Sequence, residues 1–156
     1  MMLRSRPSSP YPGKIHRMST TVLYTPEVLS LAVSLARFPW REDLSLQGEA
    51  RSRSCGSTIA LGLAVDEQGT VTEVGVRSHA CAIGQAAAAI FAEAVVGMTG
   101  ADVHRAGKAV EDWLAGKADL PDWPGLDRIA AARDYPGRHG AVMLPWNAAM
   151  QVLPSA

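Results

Sequence analysis

An alternating apolar run and a β-branched run, joined by a four-residue turn, lie in the middle of this chain and set most of what it can become. Ile59, Leu61, Leu63 and Val65 alternate with smaller residues. Asp66-Glu67-Gln68-Gly69 follows, and then Val71, Val74 and Val76 within a second run, 70–78. Alternation at period two puts the larger side chains of a strand on one face, so the pair reads as a hairpin with one buried side. A hairpin cannot bury that side alone and needs a covering layer. The chain supplies one directly. Residues 85–96 are alanine-rich, lack Pro and Gly, and include Ile90 and Phe91, the pattern of a well-buried helix stopped at Gly97.

Elsewhere the signals are helical. Thr25-Pro26-Glu27 reads as a helix start, with a hydroxyl cap, Pro at the first position and an acid in the first turn. Val28, Leu29, Leu31, Ala32 and Leu35 form its apolar stripe, and Pro39 ends it. Residues 40–54 are irregular, with a short strand expected near 49–53. A helix is expected over 101–115, a loop over 120–125, a short helix over 126–133 and a turn-rich link over 135–140. A last helix over 143–152 would hold Pro145 in its first turn. The expected fold is α+β: a small antiparallel sheet of about three strands packed with helices, in one domain over 18–156.

Residues 1–17 differ from the rest. They carry Arg4, Arg6, Lys14 and Arg17 with no acid, are rich in Ser and Pro, and show no hydrophobic periodicity. The expectation is a disordered N-terminal extension, with Met18 as an alternative first residue. It lacks the apolar stretch of a secretory signal; a transit peptide is open, the segment being basic and acid-free, although its prolines spoil an amphipathic helix, and the expected location is cytoplasmic.

Composition narrows the function. With 156 residues, 47% of them apolar, the chain has enough for one core. Its longest unbroken apolar run, 86–92, falls far short of the ~18–20 residues that span a bilayer. Fifteen basic and fifteen acidic residues give no general reason to expect nucleic acid. His104, Asp102 and Ser57 have no nucleophile elbow to organise them, and the chain is not expected to be an enzyme.

Chemistry concentrates at the two cysteines. Cys55 precedes the first strand of the hairpin, and Cys81 follows the second. Antiparallel pairing brings those two ends together. Thiolates suit iron, iron–sulfur clusters and zinc, and the helix expected after Cys81 favours a nearby anion. Against this, a free Cys is often only a small core residue.

The residues around them resemble the NifU-like iron–sulfur scaffold family, which includes IscU and SufU. Ser54-Cys55-Gly56-Ser57 before the hairpin and Ala80-Cys81 at the start of an alanine-rich helix are similar to its first two Cys motifs. Tyr24-Thr25-Pro26-Glu27-Val28-Leu29 resembles its first helix. Asp112-Trp113-Leu114-Ala115-Gly116-Lys117 with 126–133 resembles the insertion of the SufU branch. Arg138-His139-Gly140-Ala141-Val142-Met143-Leu144-Pro145-Trp146 resembles the segment with the family's third Cys. The resemblance implies cluster assembly on three Cys and one Asp, with sulfur from a cysteine desulfurase and other cluster-biogenesis proteins as partners. Some SufU-branch members bind zinc at that site instead.

The carry-over gives Cys55 and Cys81 as cluster or metal ligands and departs at the other two positions. Ser57 stands where the family has Asp, and Ala141 where it has its third Cys. Two rescues are open. His79, two residues before Cys81, and His139, beside the vacant position, are candidate metal ligands. Alternatively, a homodimer would supply four thiolates to one cluster. The expected function is that of a scaffold-like protein holding an iron–sulfur cluster or metal. The alternative is a metal-free docking or regulatory module of cluster biogenesis, and a reversible Cys55–Cys81 disulfide is a third reading.

Overall fold

The computed structural model describes residues 23–156. The N-terminal extension and Met18 lie outside the described residues. Helix α1 (Pro26–Ser34) starts as its sequence demands: Thr25 Oγ1 accepts the Val28 N–H at 3.1 Å, with Pro26 and Glu27 in the first turn. It tightens into a 3₁₀ turn, Leu35–Arg37. Three strands follow, β1 (Leu46–Arg51), β2 (Thr58–Val65) and β3 (Val71–His79), then α2 (Ala82–Val95) and α3 (Gly100–Leu114). Two 3₁₀ segments, Leu126–Asp134 and Pro136–Arg138, lead into α4 (His139–Met150). The sheet is antiparallel in the order β1-β2-β3, and the fold is α+β.

The hairpin turn is held by Asp66, whose Oδ1 accepts the N–H groups of Gln68 and Thr70 at 2.9 Å. Gly69 takes a left-handed φ of 81°. The period-two pattern puts Ile59, Leu61 and Leu63 on the inner face of β2, opposite Val76 and Val74 of β3. Helices α2 and α4 cover that face. Helix α2 is buried nearly all round, and its run of alanines lets α1, the sheet, α4 and the 126–134 segment all approach it. Phe91 stacks on Trp123, ring centroids 5.3 Å apart, and Trp146 meets both edge-on. Trp123 Nε1 donates to the Ile90 carbonyl at 3.1 Å.

Three expectations need correction. β1 begins at Leu46 rather than near Glu49: its sequence is polar and contains Gly48, so it shows no β pattern. Gly48 is there because the backbone of α4 at Ala148 lies directly over it. The 126–134 segment is 3₁₀, broken by non-helical angles at Ile129. Helix α4 begins at His139, so Pro145 falls inside it rather than in its first turn. A proline there has no N–H for the Ala141 carbonyl, and burial of residues 141–146 outweighs that loss. Among the described residues, no helix is long and apolar enough to cross a membrane.

Candidate functional site

The chain leaves β1 at Arg51 and enters β2 at Thr58 through a tight loop. The Ser52 N–H bonds the Ser57 carbonyl at 2.8 Å, and the Gly56 N–H bonds the Ser52 carbonyl at 2.9 Å. Gly56 has φ of 71°, a left-handed conformation that disfavours any side chain. This closure turns the Cys55 side chain back onto the loop's own hydroxyls. Its sulfur lies 3.3 Å from Ser52 Oγ and 3.2 Å from Ser57 Oγ. Both serines are buried.

Ser57 also reaches the second cysteine. Its Oγ accepts the Cys81 N–H at 3.2 Å, so one hydroxyl bridges the two cysteine residues. Cys81 is the N-cap of α2 with its side chain free of any capping bond, and its carbonyl accepts the Gln85 N–H. The two strand ends thus converge at the hairpin's open end, where Thr58 pairs with His79.

The start of α4 closes the site. Ser54 Oγ donates to the Gly137 carbonyl at 3.0 Å. A Cβ on Gly140 would come within 2.6 Å of Ser52 Oγ, so only glycine lets the helix pass there. Ala141 is fully buried, and a Cβ built on Gly84, in the first turn after Cys81, would lie 3.6 Å from the Ala141 Cβ. The position aligned with the third Cys therefore sits against the helix turn that Cys81 caps. Arg138 Nε donates to the Tyr24 hydroxyl at 3.0 Å. That bond raises the guanidinium pKa, as does the negative charge of Tyr24, Cys81 and Cys55 in their ionised forms.

These neighbours act on Cys55. Its pKa is pulled from the usual thiol range to about 7, first by the Ser52 hydroxyl and next by that of Ser57. The Ser57 backbone and the Arg138 charge add to the effect, against the opposing pull of burial. Once Cys55 ionises, its sulfur can only accept, so the Ser52 and Ser57 hydroxyls donate to it, and Ser57 Oγ can do so while still accepting the Cys81 N–H.

The two histidines stand apart from this arrangement. His79 ends β3 on the outer face of the sheet, in a row with Thr58 and Arg51. His139 opens α4 and donates from Nε2 to the Arg133 carbonyl at 2.7 Å. Among the described residues, no three His, Cys, Asp or Glu side chains gather closely enough to hold a metal ion. Among the described residues, the two cysteines thus meet at one loop, with the Ser57 hydroxyl and the buried Ala141 beside them. A hydroxyl is neutral near pH 7 and a methyl carries no donor. Sequence reasoning missed Ser52, Arg138 and Tyr24. The run Ser52-Arg53-Ser54-Cys55-Gly56-Ser57 carried a signal for the hydroxyl cage, whereas the Arg138–Tyr24 bond links residues too distant in sequence to read.

The family model described as NifU-like N terminal domain matches residues 38–138. The chain belongs to that family. Solved structures agree with the assignment. A nitrogen-fixing NifU-like protein (N-terminal) from Brucella abortus is similar at 25% identity and a TM-score of 0.78, over 86% of this chain and 94% of that one. FiSufU from thermophilic Fervidobacterium islandicum AW-1, assigned as an iron–sulfur cluster assembly scaffold for the SUF system, shares the fold. Its TM-score is 0.78 at 23% identity, over 86% of this chain and 99% of that one. No curated protein matches the chain by sequence.

Proposed function

We propose that this NifU-like chain works in iron–sulfur cluster biogenesis with half of the family's ligand set. It holds iron–sulfur cargo, or zinc, through Cys55 and Cys81 and takes its remaining donors from a second molecule. In this reading it acts in the cytoplasm, beside a cysteine desulfurase and other cluster-biogenesis proteins, and is not itself an enzyme. The observation that supports the reading is the Ser57 hydroxyl, which touches the Cys55 sulfur and accepts the Cys81 backbone N–H, together with the Cys55 thiol drawn down to about pKa 7. Thiolate is the form that binds soft metals, and Cys55 is about half ionised near neutral pH. Sites of this kind close with four donors, so two leave the cargo exchangeable.

The test is anaerobic uptake of ferrous iron and sulfide, and separately of zinc. The native chain is expected to load substoichiometrically, and Cys55→Ser or Cys81→Ser to abolish loading. Uptake untouched by both substitutions sinks the proposal. Nil uptake by the native chain favours the metal-free docking module. One observation supports that second reading: Ser57 is committed to hydrogen bonds and Ala141 to packing, so neither position is held open for a ligand.

A further inference from the structure

The outer face of the sheet is covered over only part of its length. Toward the turn, the 39–44 segment crosses it. A Cβ on Gly62 would meet the Leu44 side chain at 3.2 Å and the Trp40 ring at 3.7 Å, and one on Gly75 would meet the Pro39 carbonyl at 2.6 Å. Toward the cysteines, no described residue lies over it. There the register sets two rows across the strands, Glu49–Ala60–Arg77 and Arg51–Thr58–His79. The central strand contributes the short side chains and the flanking strands the long ones. A hollow of about 460 Å³ results, with Ala60 and Thr58 as floor and charged walls.

The charge of those walls is unbalanced. Several basic side chains elsewhere have acidic partners, Arg37 with Glu93, Arg41 with Asp43 and Glu73, and Lys108 with Asp112, while others, Arg53 and Lys117 among them, have none among the described residues. Arg51 and Arg77 have no carboxylate partner among the described residues, and Glu49 is the one acid of the hollow. Arg77 is also oriented, its guanidinium 4.5 Å above the centre of the Trp40 ring. Stacking of that kind fixes the plane and leaves the edge N–H groups free to grip a carboxylate with two hydrogen bonds.

We infer that this hollow docks an acidic segment of a partner protein, whose carboxylates Arg51 and Arg77 bind, with His79 at the rim. The rest of the molecule argues for that occupant. Residues 23–156 hold more acids than bases, so the surrounding surface repels a long polyanion such as nucleic acid and limits an acidic protein partner to a short acidic stretch that ends within the hollow. The chain's own residues 1–17 are basic and carry the wrong charge. The floor is two residue rows long, which suits a few residues of extended chain. The hollow also adjoins the cysteines, because Thr58 follows Ser57 and His79 lies two residues before Cys81. A partner docked there would be held beside both thiols. The inference stands independently of metal binding.

The probe is a fluorescein-labelled peptide, Gly-Glu-Ala-Glu-Ala-Glu-Gly, and its Gln counterpart, titrated with the full chain in about 50 mM salt, where screening is moderate. Anisotropy is expected to show saturable binding of the Glu peptide. Replacing both Arg51→Gln and Arg77→Gln should weaken it about tenfold or more, because two charge-assisted contacts are lost. The Gln peptide should bind as poorly. Amide shifts on peptide addition should centre on residues 49–51, 58–60 and 77–79. Both arginines are exposed, and circular dichroism checks that the double variant folds. Equal binding of the two peptides overturns the inference, as does native binding by the double variant. So do tighter binding of inorganic phosphate or of a thymidine dodecamer than of the Glu peptide, and a self-association of the chain that the double variant abolishes.

Discussion

At Cys55 the local chemistry makes a pH-dependent expectation. Thiolate is the reactive form, and its fraction rises as pH rises through the pKa. With the pKa at about 7, alkylation of Cys55 should follow a curve with its midpoint near 7, rising toward alkaline pH. Ser52→Ala removes the largest cause of the lowering and should move the midpoint upward. Iodoacetamide rates in a Cys81→Ser background, followed by mass spectrometry, measure it. A midpoint unmoved by Ser52→Ala would show that the hydroxyl does not stabilise the thiolate. The same residues decide how the site could be completed. On the proposed reading, Ser57→Asp with Ala141→Cys would restore the family's donors beside both cysteines. Zinc affinity should rise at least about tenfold over the native chain, since a four-donor set closes the site. Competition against a chromophoric chelator reads this, and an unchanged affinity means that the aligned positions do not face one metal.

Elements explain what the sequence could and could not disclose. The hairpin, α1 and α2 were legible because each carries its own signal: period-two apolar residues in Ile59–Leu63, the Thr25-Pro26 cap, an unbroken alanine run. β1 and α4 were not, because their residues answer to tertiary contacts. Gly48 is a poor strand residue that lets α4 lie close, and Pro145 is a poor helix residue held by burial. For the site, the convergence of Cys55 and Cys81 followed from antiparallel pairing, whereas their serine cage and Arg138 depended on where α4 begins. Gly140 tests that dependence. An exposed helical Gly→Ala gains up to ~1 kcal/mol from propensity alone. Here the added methyl runs into Ser52 Oγ, so Gly140→Ala should instead destabilise the fold by ~1–3 kcal/mol. It should also displace Ser52 and raise the Cys55 midpoint. Urea unfolding and the alkylation curve check both, and a stabilised variant with a midpoint still near 7 would refute the close packing of α4 against the loop.

For the whole molecule, the question is where the missing donors come from. The fold puts both thiols at one end of the sheet, with Cys55 and Cys81 each only partly buried, so a second molecule can approach them. Among the described residues no third His, Cys, Asp or Glu gathers with them, so on the proposed reading a single chain is two donors short. A second copy supplies two more thiolates with the same geometry, and a twofold arrangement of identical patches is the commonest form of self-association. Anaerobic loading with iron and sulfide should therefore approach half a cluster per chain and convert monomer to dimer on a sizing column. Dimer formation should be reversed by chelation and absent in Cys55→Ser and Cys81→Ser. Loading should weaken as pH falls below about 7, because protonation of Cys55 removes a ligand from each copy. The opposite slope would remove Cys55 from the site. A full cluster on a monomer would mean that one chain completes its own ligand set, and the two-copy arrangement would then be wrong even if both cysteines bind.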